Sequence, residues 1–178
     1  MFREAVIMFS FIYPDAYKSS IYDIPYGELK SNGLTNILFD IDNTVAPVGA
    51  DRPGTETEFF FCKLGGMGFK ICLLSNGKKR RVGVFAESLG VPYVAKAGKP
   101  FAGGLDAALN LIGADRENSV IIGDQIFTDV LCGRRNSIYT ILVRPISKNE
   151  EWYVRLKRVF ERPVMSEYLK KRGYAGQV

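Results

Sequence analysis

The chain has 178 residues, 47% of them hydrophobic and 24% charged, an ordinary globular composition that suits one compact domain with a sizeable core. Its 24 basic and 19 acidic residues leave a net charge of +5, which favours anionic partners such as phosphates, nucleic acid or acidic lipid headgroups. Histidine is absent, which excludes Ser-His-Asp and Cys-His catalysis and removes the commonest zinc ligand, so any chemistry has to run on carboxylates, lysines or a metal.

The opening run MFREAVIMFSFIY is apolar but short, carries Arg3 and Glu4, and has no small-residue cleavage site after it. No stretch approaches the roughly 20 apolar residues that span a bilayer, so a soluble cytoplasmic protein is expected, with peripheral membrane contact left open. Residues 13–34 hold Pro14, Pro25, Asn32 and Gly33, which predicts one short helix and turns flanking the sheet.

From about residue 36, short apolar runs alternate with helical patterns, the signature of strand-helix units around a mainly parallel sheet. Strands are expected at 36–41 (NILFDI), 70–74 (KICLL), 93–94, 119–122 (SVII) and 139–143 (YTILV), continuous apolar runs that suit burial on both faces. Helices are expected at 56–65, 79–89, 101–112 and 128–134, with Gly90 and Gly113 as C-caps. Residues 150–160 read as a further helix that Pro163 should break, 166–171 as a final turn, and the rest as a loose basic end. Cys62, Cys72 and Cys132 form no CxxC pair and read as buried core residues in a reducing compartment. The fold class is therefore α/β: a Rossmann-like parallel sheet with helices on both faces, in one domain made of an N-terminal flank (1–35), a core (36–145) and a C-terminal helical flank (146–178).

The strongest local signal is Asp40-Ile41-Asp42-Asn43-Thr44, which sets two carboxylates and a hydroxyl at the carboxyl end of the first confident strand. Ligands of open parallel sheets bind beyond those strand ends. Residues 40 and 42 both have to face one site in a chain that leaves strand geometry there; taken alone, the segment also reads as a solvated turn. Three more segments fall at later strand ends: Ser75-Asn76 after KICLL, Lys99-Pro100 opening a helix, and Gly123-Asp124 after SVII with Asp129 five residues on. Their order and spacing are not those of chance turns.

Together these residues resemble the four motifs of the haloacid dehalogenase (HAD) superfamily over roughly residues 36–129. Asp40 and Asp42 match the first, Ser75 the second, Lys99 the third, and Asp124 with Asp129 the fourth. The stretch IYDIPYGELKSNGLTNILFDIDNT, followed by AGKP and GDQIFTD, further resembles the YqeG-type group of subclass IIIA, related to phosphatidylglycerophosphate phosphatases. The resemblance implies a Mg2+-dependent phosphomonoester hydrolase in which Asp40 is the nucleophile that becomes an aspartyl-phosphate. Asp42 would then serve as general acid and afterwards base. It implies Mg2+ on the Asp40 carboxylate, the Asp42 carbonyl and the Asp124 carboxylate, supported by Asp129 from outside. Ser75, Asn76 and Lys99 would hold the phosphoryl oxygens, and Thr44 would steady the first loop.

Capped members carry an insert after the first motif or between the second and third. The dozen residues from Thr44 to residue 56, and the 24 from Ser75 to Lys99, leave no room for a cap domain. An open site suits a large substrate such as a lipid headgroup, a phosphoprotein or a nucleic acid end, and permits a neighbouring subunit to act as the cap. The run Lys78-Lys79-Arg80-Arg81 lies close to Ser75 and reads as a solvated helix face or an attractor of polyanions or anionic membrane. Phe59, Phe60 and Phe61 read as core, and Gly65-Gly66-Met67-Gly68 as a helix stop. A HAD-fold binding protein without turnover is the alternative from another class.

Overall fold

The computed structural model describes residues 10–147 and 152–172. Six parallel strands form one sheet in the order β1-β6-β5-β2-β3-β4: β1 (Ala16–Lys18), β2 (Asn36–Phe39), β3 (Lys70–Leu74), β4 (Tyr93–Val94), β5 (Ser119–Gly123) and β6 (Tyr139–Val143). The central strand β2 is buried along its whole length and pairs with β3 on one side and β5 on the other, Asn36 to Lys70 and Asn36 to Ser119. Its alternating side chains feed two cores. Ile37 and Phe39 join the helices α1 (Tyr26–Ser31), α2 (Thr55–Gly66) and α3 (Lys79–Leu89) on one face. Leu38 joins α4 (Ala102–Ile112) and α5 (Leu131–Arg135) on the other. A strand buried on both faces needs apolar residues at every position, which is why these runs are continuous rather than alternating. Full burial of a side chain such as Phe39 contributes roughly 1.5–3 kcal/mol.

The strands at 70–74, 93–94 and 139–143 and the helix at 79–89 lie where the sequence predicts them, and Gly90 and Gly113 close α3 and α4 in the left-handed conformation at φ 65° and 57°. Five features differ, the last of them in the final helix. The flank before β2 contributes the edge strand β1, which pairs with β6 from Ala16 opposite Ile141 to Lys18 opposite Val143. Asp15 anchors it by accepting from the Thr140 N–H and hydroxyl at 2.8 and 2.9 Å, a three-residue strand too short to carry an apolar period of its own. The helix expected at 128–134 begins instead as a π-helical turn, Ile126–Val130, that runs into α5. Cys62 is exposed on α2, whereas Cys72 and Cys132 are buried. Of the three consecutive phenylalanines, Phe61 is core and Phe60 packs against it, but Phe59 faces solvent, since three successive helical positions span too wide an arc for one face.

The last element, α6 (Trp152–Lys171), passes through Pro163 without breaking. Pro163 sits on the exposed side, so the carbonyl it leaves without an N–H partner lies on the wet face of the helix, while Val164, Tyr168 and Leu169 hold the inner face down. The expected helix start at residue 150, the apolar opening up to residue 9 and the basic end beyond residue 172 lie outside the described residues.

Candidate active site

β2 ends at Phe39, and residues 40–46 coil back on themselves: the N–H groups of Thr44, Val45 and Ala46 all donate to the Ile41 carbonyl, and Asn43 takes φ 61°. This departure from strand geometry brings Asp40 and Asp42 to the same crevice. Asn43 fixes the loop from outside. Its side chain exchanges two 3.1 Å hydrogen bonds with the backbone of Ser147, and its carbonyl accepts from Ile146.

Asp40, Asp42, Ser75, Asn76 and Lys99 line a crevice of about 520 Å³. The centre is an ion cluster. Lys99 Nζ donates to Asp40 Oδ1 at 2.7 Å and to Asp129 Oδ1 at 2.5 Å, with the lysine side chain only 2% exposed. Asp129 is held in turn by the Gln125 N–H at 3.1 Å and the Thr128 hydroxyl at 3.3 Å. Asn76 positions the lysine loop: its side-chain oxygen accepts from the Lys99 N–H at 2.9 Å and its amide donates to the Lys99 carbonyl at 3.2 Å. Ser75 is buried and its hydroxyl accepts from the Gly77 N–H at 3.0 Å. Asp42 is half-buried, accepts from the Gly49 N–H at 3.0 Å and is ion-paired with Arg81. The Thr44 hydroxyl donates to Asp124 Oδ1 at 3.3 Å, tying the first loop to the end of β5.

Carboxylate oxygens of Asp40, Asp124 and Asp129 lie within 4.8 Å of one another. Burial pushes Asp40 up to about 7, with Lys99 pulling it down and the charges of Asp129 and Asp42 pushing it further up. Asp124 is raised well above the ordinary carboxylate range for the same first reason, against the opposing pull of Arg158. Burial works to lower Lys99, but Asp129 and Asp40 more than offset it, and the ammonium is held charged. A buried all-oxygen donor set in which Asp40 and Asp124 are both raised is the environment a hard divalent cation stabilises, so the residues fit Mg2+ chemically.

Several contributors carry no motif-level signal. Arg158 and Glu161 come from α6, far along the chain. Arg158 is ion-paired with Asp124 and donates to Glu161 at 2.9 Å, and Glu161 accepts from the N–H groups of Ile126 and Phe127 at 2.8 and 3.2 Å, capping the π-helical turn. The sequence offered only the three-residue spacing of Arg158 and Glu161 on a helix, which any solvated face can show. Gly123 is required by crowding: a Cβ there would sit 2.2 Å from Asp129 Cγ.

Residues 96–158 match the HAD-hydrolase-like family. "Probable phosphatase YqeG" of Bacillus subtilis (strain 168) is 36% identical over 166 residues, covering 92% of this chain and 95% of that protein. The chain belongs to the HAD phosphatases. This HAD phosphatase is also 27% identical over 172 residues to "Phosphatidylglycerophosphate phosphatase 1, chloroplastic/mitochondrial" of Arabidopsis thaliana, a match that spans 90% of the chain but 49% of that relative. Among solved structures, the cobalt-bound deoxy-D-mannose-octulosonate 8-phosphate phosphatase YrbI of Haemophilus influenzae shares the fold at a TM-score of 0.50 and 13% identity, over 78% of this chain and 91% of that one. The phosphatase activity and the parallel α/β fold thus agree with the carboxylate-lysine centre. Among the described residues of this HAD phosphatase, no helix is long and apolar enough to cross a membrane.

Proposed function

We propose that the crevice hydrolyses phosphomonoesters through an aspartyl-phosphate on Asp40, with Mg2+ held by the carboxylates of Asp40 and Asp124 and the carbonyl of Asp42. The observation that carries this reading is the Lys99 bridge, which orients the Asp40 carboxylate at a strand end and opposes the rise that burial imposes on it. Bound Mg2+ supplies positive charge that favours the ionised nucleophile and screens the phosphoryl oxygens. Asp40 attacks phosphorus in line with the leaving oxygen, and Ser75 and Lys99 face the equatorial oxygens where negative charge spreads. Asp42 gives the leaving oxygen its proton and then takes one from the water that attacks the aspartyl-phosphate. Its ion pair with Arg81 has to open for the carboxyl to carry that proton, so Arg81 is part of the acid's resting state.

Phosphatidylglycerophosphate is the substrate we propose. The names of the Arabidopsis relative and of a second one from Chlamydomonas reinhardtii, 24% identical over 148 residues, support it, as does the cationic rim that Lys78, Arg81 and Lys157 give the crevice. The test is hydrolysis of p-nitrophenyl phosphate and phosphatidylglycerophosphate, with Mg2+ and with EDTA, by wild type and Asp40→Asn. Mg2+-dependent turnover that Asp40→Asn abolishes, with preference for the lipid, is expected. Turnover that survives Asp40→Asn removes the nucleophile assignment, and indifference to the lipid removes the substrate.

A further inference from the structure

α6 divides into two halves of opposite character. From Glu161 onward it is anchored, with Glu161, Val164, Tyr168 and Leu169 buried. Between Trp152 and Phe160 no described side chain is buried, so this half projects over the crevice with only its under-side engaged. That under-side supplies Val154 and Lys157 to the crevice and Arg158 to Asp124. The outer side carries Leu156, Val159 and Phe160, exposed to 53%, 54% and 63%, with Trp152 on the same face one turn earlier, and Trp152, Leu156 and Val159 also edge the groove on that flank of the helix. Large apolar side chains at this spacing on water-facing helix are costly unless something covers them.

The flank of the same half-helix is cationic. Arg155 and Arg162, seven positions apart, lie along one edge, and across the adjoining groove of about 1550 Å³ stands Arg144 at the end of β6. None of these three arginines has an ion-pair partner among the described residues. The acids that line the groove, Asp124 and Glu161, are both taken by Arg158. Apolar anchors flanked by unpaired cations complement an anionic layer with an apolar layer directly beneath it, which a bilayer of acidic phospholipid supplies.

We propose that the outer face of residues 152–160 of α6 docks on an anionic phospholipid bilayer, Leu156, Val159 and Phe160 entering the headgroup-acyl boundary while Arg144, Arg155 and Arg162 meet lipid phosphates. Because Trp152, Leu156 and Val159 also line the groove that reaches Thr44 and Asp124, docking sets the mouth of that groove against the headgroup layer. The inference rests on the lipid-headgroup reading of the site given above, and names the surface through which that substrate is reached.

The chain's one tryptophan is Trp152, so its fluorescence reports on this face alone. Wild type is mixed with vesicles of phosphatidylglycerol in phosphatidylcholine, and with phosphatidylcholine vesicles, and followed by Trp emission and co-sedimentation. A blue shift and sedimentation with the anionic vesicles only, weakened by salt, is expected. Leu156→Asp/Phe160→Asp should weaken vesicle binding by about ten-fold or more while leaving hydrolysis of soluble p-nitrophenyl phosphate unchanged. The proposal is overturned if wild type gives no shift with either vesicle, or if the double variant binds as wild type does. It is equally overturned if the shift follows protein concentration without lipid, which assigns the face to a second copy of the chain. Failure of p-nitrophenyl phosphate turnover in wild type would be the failure of the phosphatase mechanism instead, read independently of the Trp152 signal.

Discussion

Replacing Lys99 by Met removes the only cation among the described residues that touches both Asp40 and Asp129 and leaves an uncharged chain of similar length. With the carboxylate oxygens of that cluster no more than 4.8 Å apart, two unit charges repel by about 3.5 kcal/mol at an effective dielectric of about 20. Breaking a buried ion pair on one side costs about 3–5 kcal/mol, so the two routes agree on the size of the loss in metal-free protein. Its pH dependence has a defined sign. Asp40 is already raised to about 7, so the native state binds its proton more tightly than the unfolded chain; that contribution is fully present below the ordinary carboxylate range and is lost as pH climbs toward 7. Lys99 pulls Asp40 down, so Met pushes the value higher and carries the loss past neutrality. Lys99 itself, raised above its ordinary value, stays charged across this window. Urea unfolding in EDTA should therefore show a gap between wild type and Lys99→Met of about 3–5 kcal/mol near pH 8 that narrows clearly near pH 5.5, where Asp40 is protonated in both native states and no longer needs the ammonium. A gap of the same size at both pH values, or one below about 1 kcal/mol at the higher, refutes the reasoning.

Three further outcomes are expected. Gly123→Ala forces a Cβ into the space of Asp129 and should cost about 1–3 kcal/mol in thermal unfolding together with most of the phosphatase activity; a variant with wild-type Tm contradicts the crowding argument. Arg158→Met removes the partner of Asp124, so Mg2+ should raise the Tm of the variant by more than it raises that of wild type; an equal Mg2+ effect shows that the arginine does not compete with the cation. Asp42→Asn should slow turnover by about 10²–10⁴-fold and let phosphoenzyme accumulate in acid-quenched reactions with labelled substrate; undiminished turnover removes Asp42 as acid and base.

The strands were legible because buried parallel strands are continuous apolar runs, and each chemical residue sits at a strand end, where composition changes abruptly from Leu or Ile to Asp, Ser or Gly. That is why Asp40, Asp42, Ser75, Lys99, Asp124 and Asp129 could be picked out together. What escaped reading is set by tertiary context. β1 is too short for a period and is defined by its Asp15-Thr140 bonds. Pro163 is tolerated because the burial of Val164, Tyr168 and Leu169 outweighs one missing backbone bond. Arg158, Arg81 and Glu161 are ordinary surface types in sequence, and only the fold turns them toward Asp124, Asp42 and the π-helical turn.

The wide separation in sequence of β1 from β6, and of α6 from the first motif, bears on how the protein is made. β1 finds its neighbour β6 more than a hundred residues later, and Arg158 reaches Asp124 only after α6 has formed. During synthesis the edge strand therefore leaves the ribosome unpaired and waits for more than a hundred further residues, and the crevice acquires its outer wall only once α6 has followed β6. Such long-range closure slows folding relative to local helix pairing. It also means that a chain stopped before residue 152 would carry every motif residue of the centre yet leave Asp124 without its guanidinium and the Ile126 turn without its cap.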